Sequence, residues 1–418
     1  LTEILQRTAE DDAFEVDPKH ALATMLERLR DQSQLQPVDN PAGLQADLRD
    51  YQKRGLAWLG FLEGLGLNGC LADDMGLGKT MQVIARLVQE RAGPDPIAPT
   101  LLVAPTSVIG NWQKEVQRFA PGLSSWIHHG AKREQDAKAF RARAAEHDLV
   151  VTSYALVRRD QKLLAGIDWH RVVLDEAQNI KNPKADQTRA VLKLPSRHRL
   201  ALTGTPVENR LTDLWSIFNF VNPGYLDTQP RFRKRFELPV QRDNNPVQTA
   251  ILKRLVEPFI LRRVKTDKSI IADLPDKLEA IAYCNLSREQ AALYASVVRD
   301  VEQQLEEKSG SERQGLMLST LMRLKQICNH PAQYLQDGST FTAARSHKLE
   351  RLQAMLEEVM AEGDSVLVFS QFTEIGEQLE RALRRDSHYN TYYLHGGTSR
   401  ARREQMIDAF QDPDGEPS

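Results

Sequence analysis

Residues 71–80 read Leu-Ala-Asp-Asp-Met-Gly-Leu-Gly-Lys-Thr, after a short apolar run and at the start of a helical pattern. Closely spaced glycines let backbone N–H groups curl around a phosphate, and the following helix adds the positive end of its dipole. In such a loop Lys79 reaches the β- and γ-phosphates and the Thr80 hydroxyl ligates Mg²⁺. The strict pattern G-x-x-x-x-G-K-T is not met, because Asp73 stands at its first glycine. The stretch predicts a nucleotide-binding loop, against the alternative of a glycine-rich turn without function.

From Gly69 onward, short β-rich runs alternate with helical patterns. The candidate strands are Gly69–Ala72, Thr100–Val103, Leu149–Thr152, Arg171–Leu174 and Arg199–Leu202. The helical patterns between them are Thr80–Arg91, Asn111–Phe119, Glu134–Ala145 and Lys184–Leu192. Apolar strands that are separated by crossover helices indicate a buried parallel sheet with helices on both faces. The predicted fold class is therefore α/β.

The remaining chain predicts helical insertions and part of a second α/β lobe. Residues 214–268 are helical in pattern and interrupted by prolines, and Tyr225–Lys268 holds eleven basic and five acidic residues. A second helical block, Ser287–Asn329, has Ser287 as its predicted N-cap. Strands are expected again at Ser365–Phe369 and Thr391–Leu394. The basic stretch predicts either a surface for a polyanion or an ordinary solvated helical face.

These patterns give a predicted domain organisation. Residues 1–47 form an acidic helical leader and linker, and residues 48–275 form lobe one with a basic helical insertion at about 213–265. Residues 276–345 form a helical connector, and residues 346–418 form the N-terminal part of lobe two. Only about 70 residues follow Lys348, half of what a sheet domain usually needs. The second lobe is therefore expected to be incomplete.

Composition excludes several classes of protein. Among 418 residues, 41% are hydrophobic and 27% are charged, which are ordinary globular values. The three cysteines, Cys70, Cys284 and Cys328, lie far apart, so a disulfide framework and a cysteine-rich zinc site are not expected. No run of about 18 apolar residues and no signal-peptide pattern is present, so no contact with a membrane is predicted.

Two further motifs follow predicted strands. Asp175 and Glu176 come directly after an apolar strand, where acids can hold Mg²⁺ and deprotonate an attacking water. Thr203-Gly-Thr-Pro206 follows the next strand, and its hydroxyls can bond both a phosphate and a carboxylate. Each motif alone also fits an ordinary turn. Because the carboxyl ends of parallel strands meet at one edge of the sheet, the motifs together favour a site that binds and hydrolyses a nucleotide.

In this order, the motifs resemble the ATPase core of the Swi/Snf family, the double-stranded-DNA translocase branch of the superfamily-two helicases. The resemblance covers about Leu48 to Phe410. It includes the phosphate loop, whose family form accounts for the missing first glycine, and Leu324-Lys-Gln-Ile-Cys-Asn-His-Pro331 before lobe two. It implies tandem RecA-like lobes with parallel sheets and helical insertions. ATP and Mg²⁺ are the implied cofactors.

The resemblance also assigns roles to residues of the nucleotide site. Gln52, in Leu48-Arg-Asp-Tyr-Gln-Lys-Arg-Gly55, is expected to contact the adenine. The expected nucleotide-binding residues are Gln52, Asp74, Met75, Gly76, Leu77, Gly78, Lys79 and Thr80. The expected catalytic residues are Lys79, Asp175, Glu176 and Gln178, with Mg²⁺ on Thr80 and Asp175. Thr203, Gly204 and Thr205 are expected to couple hydrolysis to movement. Gln178 stands where many family members have histidine, and we interpret it as a tolerated variant.

Loops at the strand ends are expected to grip a DNA backbone. The implied DNA-binding residues are Thr106, Ser107, Thr152, Ser153, Ser370, Gln371, His395 and Gly396. Trp112 either stacks on a base or packs in the core of the protein. The family's last two motifs, which include arginines that reach the γ-phosphate, lie beyond Ser418. We therefore expect the 418-residue chain to bind ATP and to hydrolyse it poorly.

The predicted function is that of an ATP-dependent translocase or remodelling ATPase on double-stranded DNA, without strand separation. The alternatives are an ATP-gated clamp or adaptor that holds DNA or RNA polymerase, and a helicase that separates strands. RNA polymerase or another DNA-bound complex is a candidate partner, and a monomer is expected. A bacterial or archaeal cytoplasmic location is expected, and a nuclear one if the source is eukaryotic.

Overall fold

The computed structural model describes seven parts of the chain, which are residues 36–205, 210–267, 279–307, 309–387, 389–412, 415 and 418. The chain divides into two compact units, Leu1–Pro275 and Asp276–Ser418. Residues 1–35 of the predicted acidic leader and Pro206 of the Thr-Gly-Thr-Pro motif lie outside the described residues.

Unit 1 is built on a sheet of seven parallel strands in the order β3-β4-β2-β5-β6-β1-β7. The strands are β1 (Gly69–Leu71), β2 (Thr100–Ala104), β3 (Ser125–Ile127), β4 (Leu149–Ser153), β5 (Trp169–Leu174), β6 (Ser196–Leu202) and β7 (Ile260–Leu261). In the central register, Leu101 lies opposite Val150 on one side and Val172 on the other. All carboxyl ends therefore lie at one edge of the sheet, where ligands bind in open α/β folds.

Two hydrophobic cores cover the two faces of this sheet. Successive strand residues point to opposite faces, so Leu102 joins the core that contains Trp112, while Leu101 joins the core that contains Phe140. The α-helices that the structure describes in unit 1 are α1 (Asp50–Gly64), α2 (Lys79–Glu90), α3 (Ile109–Phe119), α4 (Ala137–Ala145), α5 (Tyr154–Arg159), α6 (Gln161–Leu164), α7 (Asp186–Leu192), α8 (Leu211–Val221), α9 (Gln229–Phe232), α10 (Leu238–Gln241) and α11 (Pro246–Val256). Helices on both faces confirm the predicted α/β arrangement.

The five predicted strands are confirmed, while the structure adds two strands at the edges of the sheet. β3 and β7 are three and two residues long and lie at the two edges of the sheet, without the fully buried apolar run of the central strands. β7 pairs with β1 and lies within the stretch 213–265, for which only helices were predicted. That prediction is wrong at its end, because the helical part of the insertion stops at Phe259 and the chain then returns to the sheet.

Unit 2 is helical in its first part. Its helices are α12 (Arg288–Glu307), α13 (Gly310–Asn329), α14 (Pro331–Leu335), α15 (His347–Ala361), α16 (Thr373–Ala382) and α17 (Arg400–Phe410). Val297 of α12 packs with Leu316 and Ile327 of α13 in one core. Ser287 caps α12 as predicted, since its hydroxyl accepts a hydrogen bond from the N–H of Gln290 at 3.2 Å. In the part of the chain that the structure describes, no helix has the length and apolar character needed to cross a membrane.

The two strands predicted in unit 2 are not formed. Residues 365–369 and 391–394 have no ladder partner among the described residues, and Leu367 and Phe369 are 67% and 89% exposed. An apolar run shows that a segment needs burial, but a strand also needs a neighbouring strand to complete its backbone hydrogen bonds. Among the residues that the structure describes, the parallel-sheet prediction therefore holds for unit 1 alone.

Candidate nucleotide site

Three predicted motifs follow neighbouring strands at the carboxyl edge of the sheet. The phosphate loop follows β1, Thr203 follows β6, and Asp175 follows β5. Backbone hydrogen bonds fix their register: the N–H of Thr203 donates to the carbonyl of Leu71 at 3.2 Å. The parallel sheet thus brings together residues that are more than 100 positions apart in the chain.

The phosphate loop follows a path that strongly favours glycine at two positions. Gly76 and Gly78 have φ angles of +81° and +73°, which L-residues rarely adopt. A Cβ at Gly78 would also lie 2.3 Å from Nε2 of Gln52. Behind the loop, the Lys79 ammonium donates to the carbonyl oxygens of Asp73 at 2.6 Å and Asp74 at 3.3 Å. The loop therefore wraps around the ammonium group of a lysine at the start of α2.

Electrostatics connect this lysine with the acids after β5. Burial lowers the pKa of Lys79, while the negative charges of Asp73, Glu176 and Asp175 oppose that shift. Carboxylates from the phosphate loop and from the end of β5 therefore stabilise the charged form of one ammonium group. A partly buried cation whose pKa is perturbed by burial and by several nearby acids marks a candidate functional site.

Asp175 is held in place by two hydrogen bonds. Trp112 Nε1 donates to its Oδ2 at 2.8 Å, and the backbone N–H of Glu176 donates to its Oδ1 at 3.0 Å. Burial raises the pKa of Asp175, while the bond from Trp112 favours the charged form and opposes the rise. Trp112 is 1% exposed, so it packs in the core and cannot stack on a base. Its role in orienting Asp175 was not predicted from the sequence.

Replacing Trp112 with phenylalanine is expected to make binding of Mg-ATP more sensitive to acid. Loss of the donor raises the pKa of Asp175 further, so the carboxylate is protonated at a higher pH and loses its charge for Mg²⁺. The affinity of W112F should match the wild type near pH 8 and fall about tenfold below it near pH 5. Titration calorimetry on the 418-residue chain across this range measures the difference.

Trp215 offers a matched control, because it lies in the same core and its Nε1 donates to the carbonyl of Asp227 at 3.0 Å. W215F removes an indole N–H without touching Asp175. If the Mg-ATP affinities of W112F and the wild type depend on pH in the same way, Trp112 does not affect the pKa of Asp175.

A chain of hydrogen bonds joins the acidic motif to the Thr-Gly-Thr motif. Gln178 Nε2 donates to Glu176 Oε2 at 2.7 Å, and the Thr203 hydroxyl donates to Gln178 Oε1 at 2.9 Å. Thr203 Oγ1 in turn accepts from the backbone N–H of Thr205 at 3.1 Å. Glu176 has a φ of +50°, an uncommon angle that directs the chain into this arrangement. The glutamine therefore bridges the two motifs.

The other predicted nucleotide-binding residues lie around the same loop. Gln52 contacts the loop from α1, since its Nε2 donates to the carbonyl of Leu77 at 3.4 Å. Met75 is 71% exposed and its Cγ lies 3.4 Å from the position that a Cβ of Gly204 would take. Thr80 lies in the first turn of α2. The structure thus gathers all eight residues at one edge, while their individual roles stay predictions.

The predicted DNA-binding residues of unit 1 fall into two groups. Thr106 and Ser107 are exposed in a short 3₁₀ helix after β2. Thr152 and Ser153 are buried, and their hydroxyls already have partners: Thr152 donates to the carbonyl of His128 at 3.1 Å, and Ser153 caps α5. In the structure only the first group offers hydroxyls to a phosphate.

The four predicted DNA-binding residues of unit 2 are exposed. Ser370 and Gln371 line a cavity of about 480 Å³, and Lys325 donates to Gln371 Oε1 at 3.2 Å. His395 stacks on Tyr393 with ring centroids 5.0 Å apart and precedes Gly396. These positions are accessible to a phosphate backbone.

Comparison with known proteins identifies the family. The SNF2-related domain matches residues 51–333, and the helicase conserved C-terminal domain matches residues 347–416. The chain belongs to the SNF2 family. It is 41% identical, over 95% of its length, to the putative ATP-dependent helicase/translocase YwqA of Bacillus subtilis, and it spans 43% of that protein. It is 35% identical to the TATA-binding protein-associated factor mot1 of Schizosaccharomyces pombe, over 77% of this chain and 18% of that protein.

A solved structure agrees with this assignment. The chain is similar to the SWI2/SNF2 ATPase core of Sulfolobus solfataricus in complex with double-stranded DNA, with 40% identity and a TM-score of 0.54. The match covers 90% of this chain and 78% of that chain. This SNF2-family chain therefore carries a helicase-like ATPase core of RecA-like architecture, as its sequence motifs predicted.

The geometry of this SNF2-family site fits the ATP and Mg²⁺ that the family implies. A Cβ at Gly76 would lie 2.9 Å from Lys265 Nζ and a Cβ at Gly78 would contact Gln52, so the loop is a cradle that its glycines keep open. Hard oxygen donors, the type that Mg²⁺ prefers, are present in Asp175 and Thr80. The residues present therefore suit a nucleotide triphosphate with its metal.

Proposed function

We propose that this chain is the core of an ATP-dependent motor that moves along double-stranded DNA without separating its strands. The observation that carries the proposal is the hydrogen-bonded chain Glu176–Gln178–Thr203 beside the Lys79 loop. This chain connects Glu176, the acid that can deprotonate water, with the segment after β6. Such a connection is required if ATP hydrolysis is to change the conformation of the protein. The similar Sulfolobus core, which was solved in complex with double-stranded DNA, supports duplex as the track.

In the proposed mechanism Lys79 binds the β- and γ-phosphates, and Thr80 and Asp175 hold Mg²⁺. Bound Mg²⁺ would neutralise charge that develops on the phosphates. Glu176 orients the attacking water and accepts its proton. Gln178 keeps the Glu176 carboxylate in place through the 2.7 Å hydrogen bond. When the phosphate leaves, the contacts of Thr203 and Thr205 change, and these residues pass that change to the rest of unit 1.

The proposed DNA contacts are made to phosphates and carry no sequence information. Thr106 and Ser107 in unit 1, and Ser370, Gln371, His395 and Gly396 in unit 2, present hydroxyls, side-chain amides and backbone groups. The basic insertion adds exposed cations around α9 to α11, including Arg233, Lys234 and Arg242. Such a surface attracts duplex DNA in a way that weakens with added salt.

Neutralising three exposed cations of the basic insertion is expected to reduce the salt dependence of duplex binding. In the R233Q/K234Q/R242Q variant, the slope of log Kd against log salt concentration should fall by about one for each phosphate that the protein no longer neutralises. Fluorescence anisotropy with a labelled duplex over a series of salt concentrations measures the slope.

The control for this variant, K138Q/K162Q/R197Q, removes three exposed cations of unit 1 outside the insertion. An equal change of slope in both triple variants would mean that only net charge matters. The insertion would then not be a DNA-binding surface.

Translocation and strand separation are distinguished by two displacement assays on the natural full-length protein. A motor on intact duplex is expected to displace the third strand of a triplex in an ATP-dependent manner and to leave a forked duplex paired. Displacement of the forked strand at an equal rate would favour a strand-separating helicase and contradict the proposal.

A clamp or adaptor is the second candidate function. It is favoured by the similarity to mot1, which is named for its association with the TATA-binding protein. In that role the chain holds DNA or a DNA-bound protein complex, RNA polymerase being one candidate, and ATP gates its release. Duplex binding that ATP weakens, without displacement of a triplex strand, would favour the clamp. In either role we propose a cytoplasmic location in a bacterium or archaeon, on the similarity to YwqA and the Sulfolobus core.

A further inference from the structure

The acid at the first position of the phosphate loop is part of a buried ion pair. Asp73 is fully buried and faces Arg263, which is 7% exposed and follows β7. Arg263 Nε donates to Asp73 Oδ1 at 2.8 Å, Arg263 Nη2 donates to Asp73 Oδ2, and the backbone N–H of Arg263 donates to Oδ1 at 3.1 Å. Three donors from one residue therefore bind both oxygens of this carboxylate.

The same guanidinium group also contacts the two helices that flank the loop. Its Nη2 donates to Gln82 Oε1 of α2 at 2.8 Å, and its Nη1 donates to the carbonyl of Tyr51 in α1. Gln82 Nε2 completes the set with a bond of 3.2 Å to Asp73 Oδ2. The guanidinium carbon lies 5.0 Å from the centre of the Tyr51 ring. Arg263 thus joins α1, the phosphate loop and α2 through a rigid planar group, a geometry that lysine cannot reproduce.

This network reaches the loop backbone at both ends. The Tyr51 hydroxyl donates to the carbonyl of Leu77 at 3.2 Å, between the two glycines. At the start of the loop, the N–H of Asp74 donates to the carbonyl of Arg263 at 3.0 Å, and the N–H of Lys265 donates to Asp74 Oδ2 at 3.1 Å. The segment that leaves the basic insertion therefore forms one wall of the phosphate loop.

We propose that Arg263 is a positioning residue for the phosphate loop. Its guanidinium group fixes the positions of Asp73, Gln82 and the Tyr51 carbonyl. The loop therefore takes its nucleotide-binding conformation when the segment that ends the basic insertion is packed beside β1. Asp73 then replaces the usual first glycine because its carboxylate is the anchor for this arginine. The inference rests on the proposed ATP function and adds a requirement that the insertion be correctly docked.

Two variants test this role in the 418-residue chain. R263K keeps the positive charge beside Asp73 but loses the fork to Gln82 and Tyr51. D73N/R263M removes both charges, so that neither is left buried without a partner. We expect each variant to bind Mg-ATP at least about tenfold more weakly than the wild type in calorimetry. Duplex affinity without nucleotide should stay within about twofold, because Arg263 is buried and is not one of the proposed DNA contacts.

R199K is the matched control, because Arg199 is also held by hydrogen bonds, to the carbonyls of Phe220 at 2.9 Å and Leu194 at 3.1 Å, away from the loop. Thermal melting without nucleotide ranks the three variants by stability. A role limited to stability predicts that ATP affinity follows the melting temperature in all three, and an unchanged ATP affinity in D73N/R263M would overturn the proposal.

The wild type and K79A, measured alongside, separate this inference from the proposed function. If the wild type does not bind Mg-ATP, the proposed function fails. If the wild type binds Mg-ATP and K79A does not, the proposed nucleotide site stands. The R263K and D73N/R263M variants then decide whether Arg263 positions the loop.

Discussion

Replacing Glu176 with glutamine is expected to lower kcat for ATP hydrolysis by about 10²- to 10⁴-fold, the range for loss of a general base. The amide cannot accept the proton of the attacking water. It has nearly the same shape and can still accept the hydrogen bond that Gln178 now donates to Glu176 Oε2 at 2.7 Å. The affinity for Mg-ATP should therefore stay within about threefold of the wild type. Steady-state kinetics on the natural full-length protein with duplex DNA measure kcat.

Glu115 provides the matched control for this substitution. Its negative charge interacts with that of Asp175, burial raises its pKa, and its Oε1 accepts a hydrogen bond from Asn111 at 2.6 Å. E115Q removes an acid close to the site that has no proposed role in the chemistry. A drop in kcat of the same size for E115Q, or full activity for E176Q, would refute the assignment of Glu176 as the base.

Replacing Lys79 with alanine is expected to weaken the binding of Mg-ATP by at least about 100-fold, since charge-assisted hydrogen bonds to phosphate are among the strong ones. The loss has two physical causes. The ammonium no longer contacts the phosphates, and it no longer joins the carbonyl oxygens of Asp73 and Asp74. Calorimetry on the 418-residue chain gives the affinity directly, without requiring hydrolysis.

K193A is the control for K79A, because Lys193 is exposed at the end of α7. A folded K79A chain that bound Mg-ATP as tightly as K193A would show that the loop after β1 is not the nucleotide site. Circular dichroism on both variants establishes that they are folded.

The central part of the fold is readable from the sequence because buried parallel strands are apolar throughout. β2 and β4 are buried at every position, so their runs stand out against the amphipathic helices. Edge strands carry no such signal: β7 has two residues, and its place beside β1 is set by pairing with a segment 190 positions away. The prediction of two strands in unit 2 was wrong because an apolar run does not reveal whether a partner strand is present.

The site was readable where its residues are close in sequence. The phosphate loop and the pair Asp175–Glu176 are short motifs whose chemistry follows from residue type and spacing. Trp112 and Asp175 are 63 positions apart, and Asp73 and Arg263 are 190 apart, so no local pattern predicts either contact. One physical signal was available in each case: a buried indole N–H and a buried carboxylate both require a partner.

Steady-state ATP hydrolysis by the natural full-length protein tests the central claim most directly. It is measured without nucleic acid and with single-stranded DNA, duplex DNA and RNA, each beside the E176Q variant. We predict strong stimulation by duplex DNA alone, and its loss in E176Q. Equal or greater stimulation by single strands or RNA, or no stimulation by any nucleic acid, would contradict a motor that moves on double-stranded DNA.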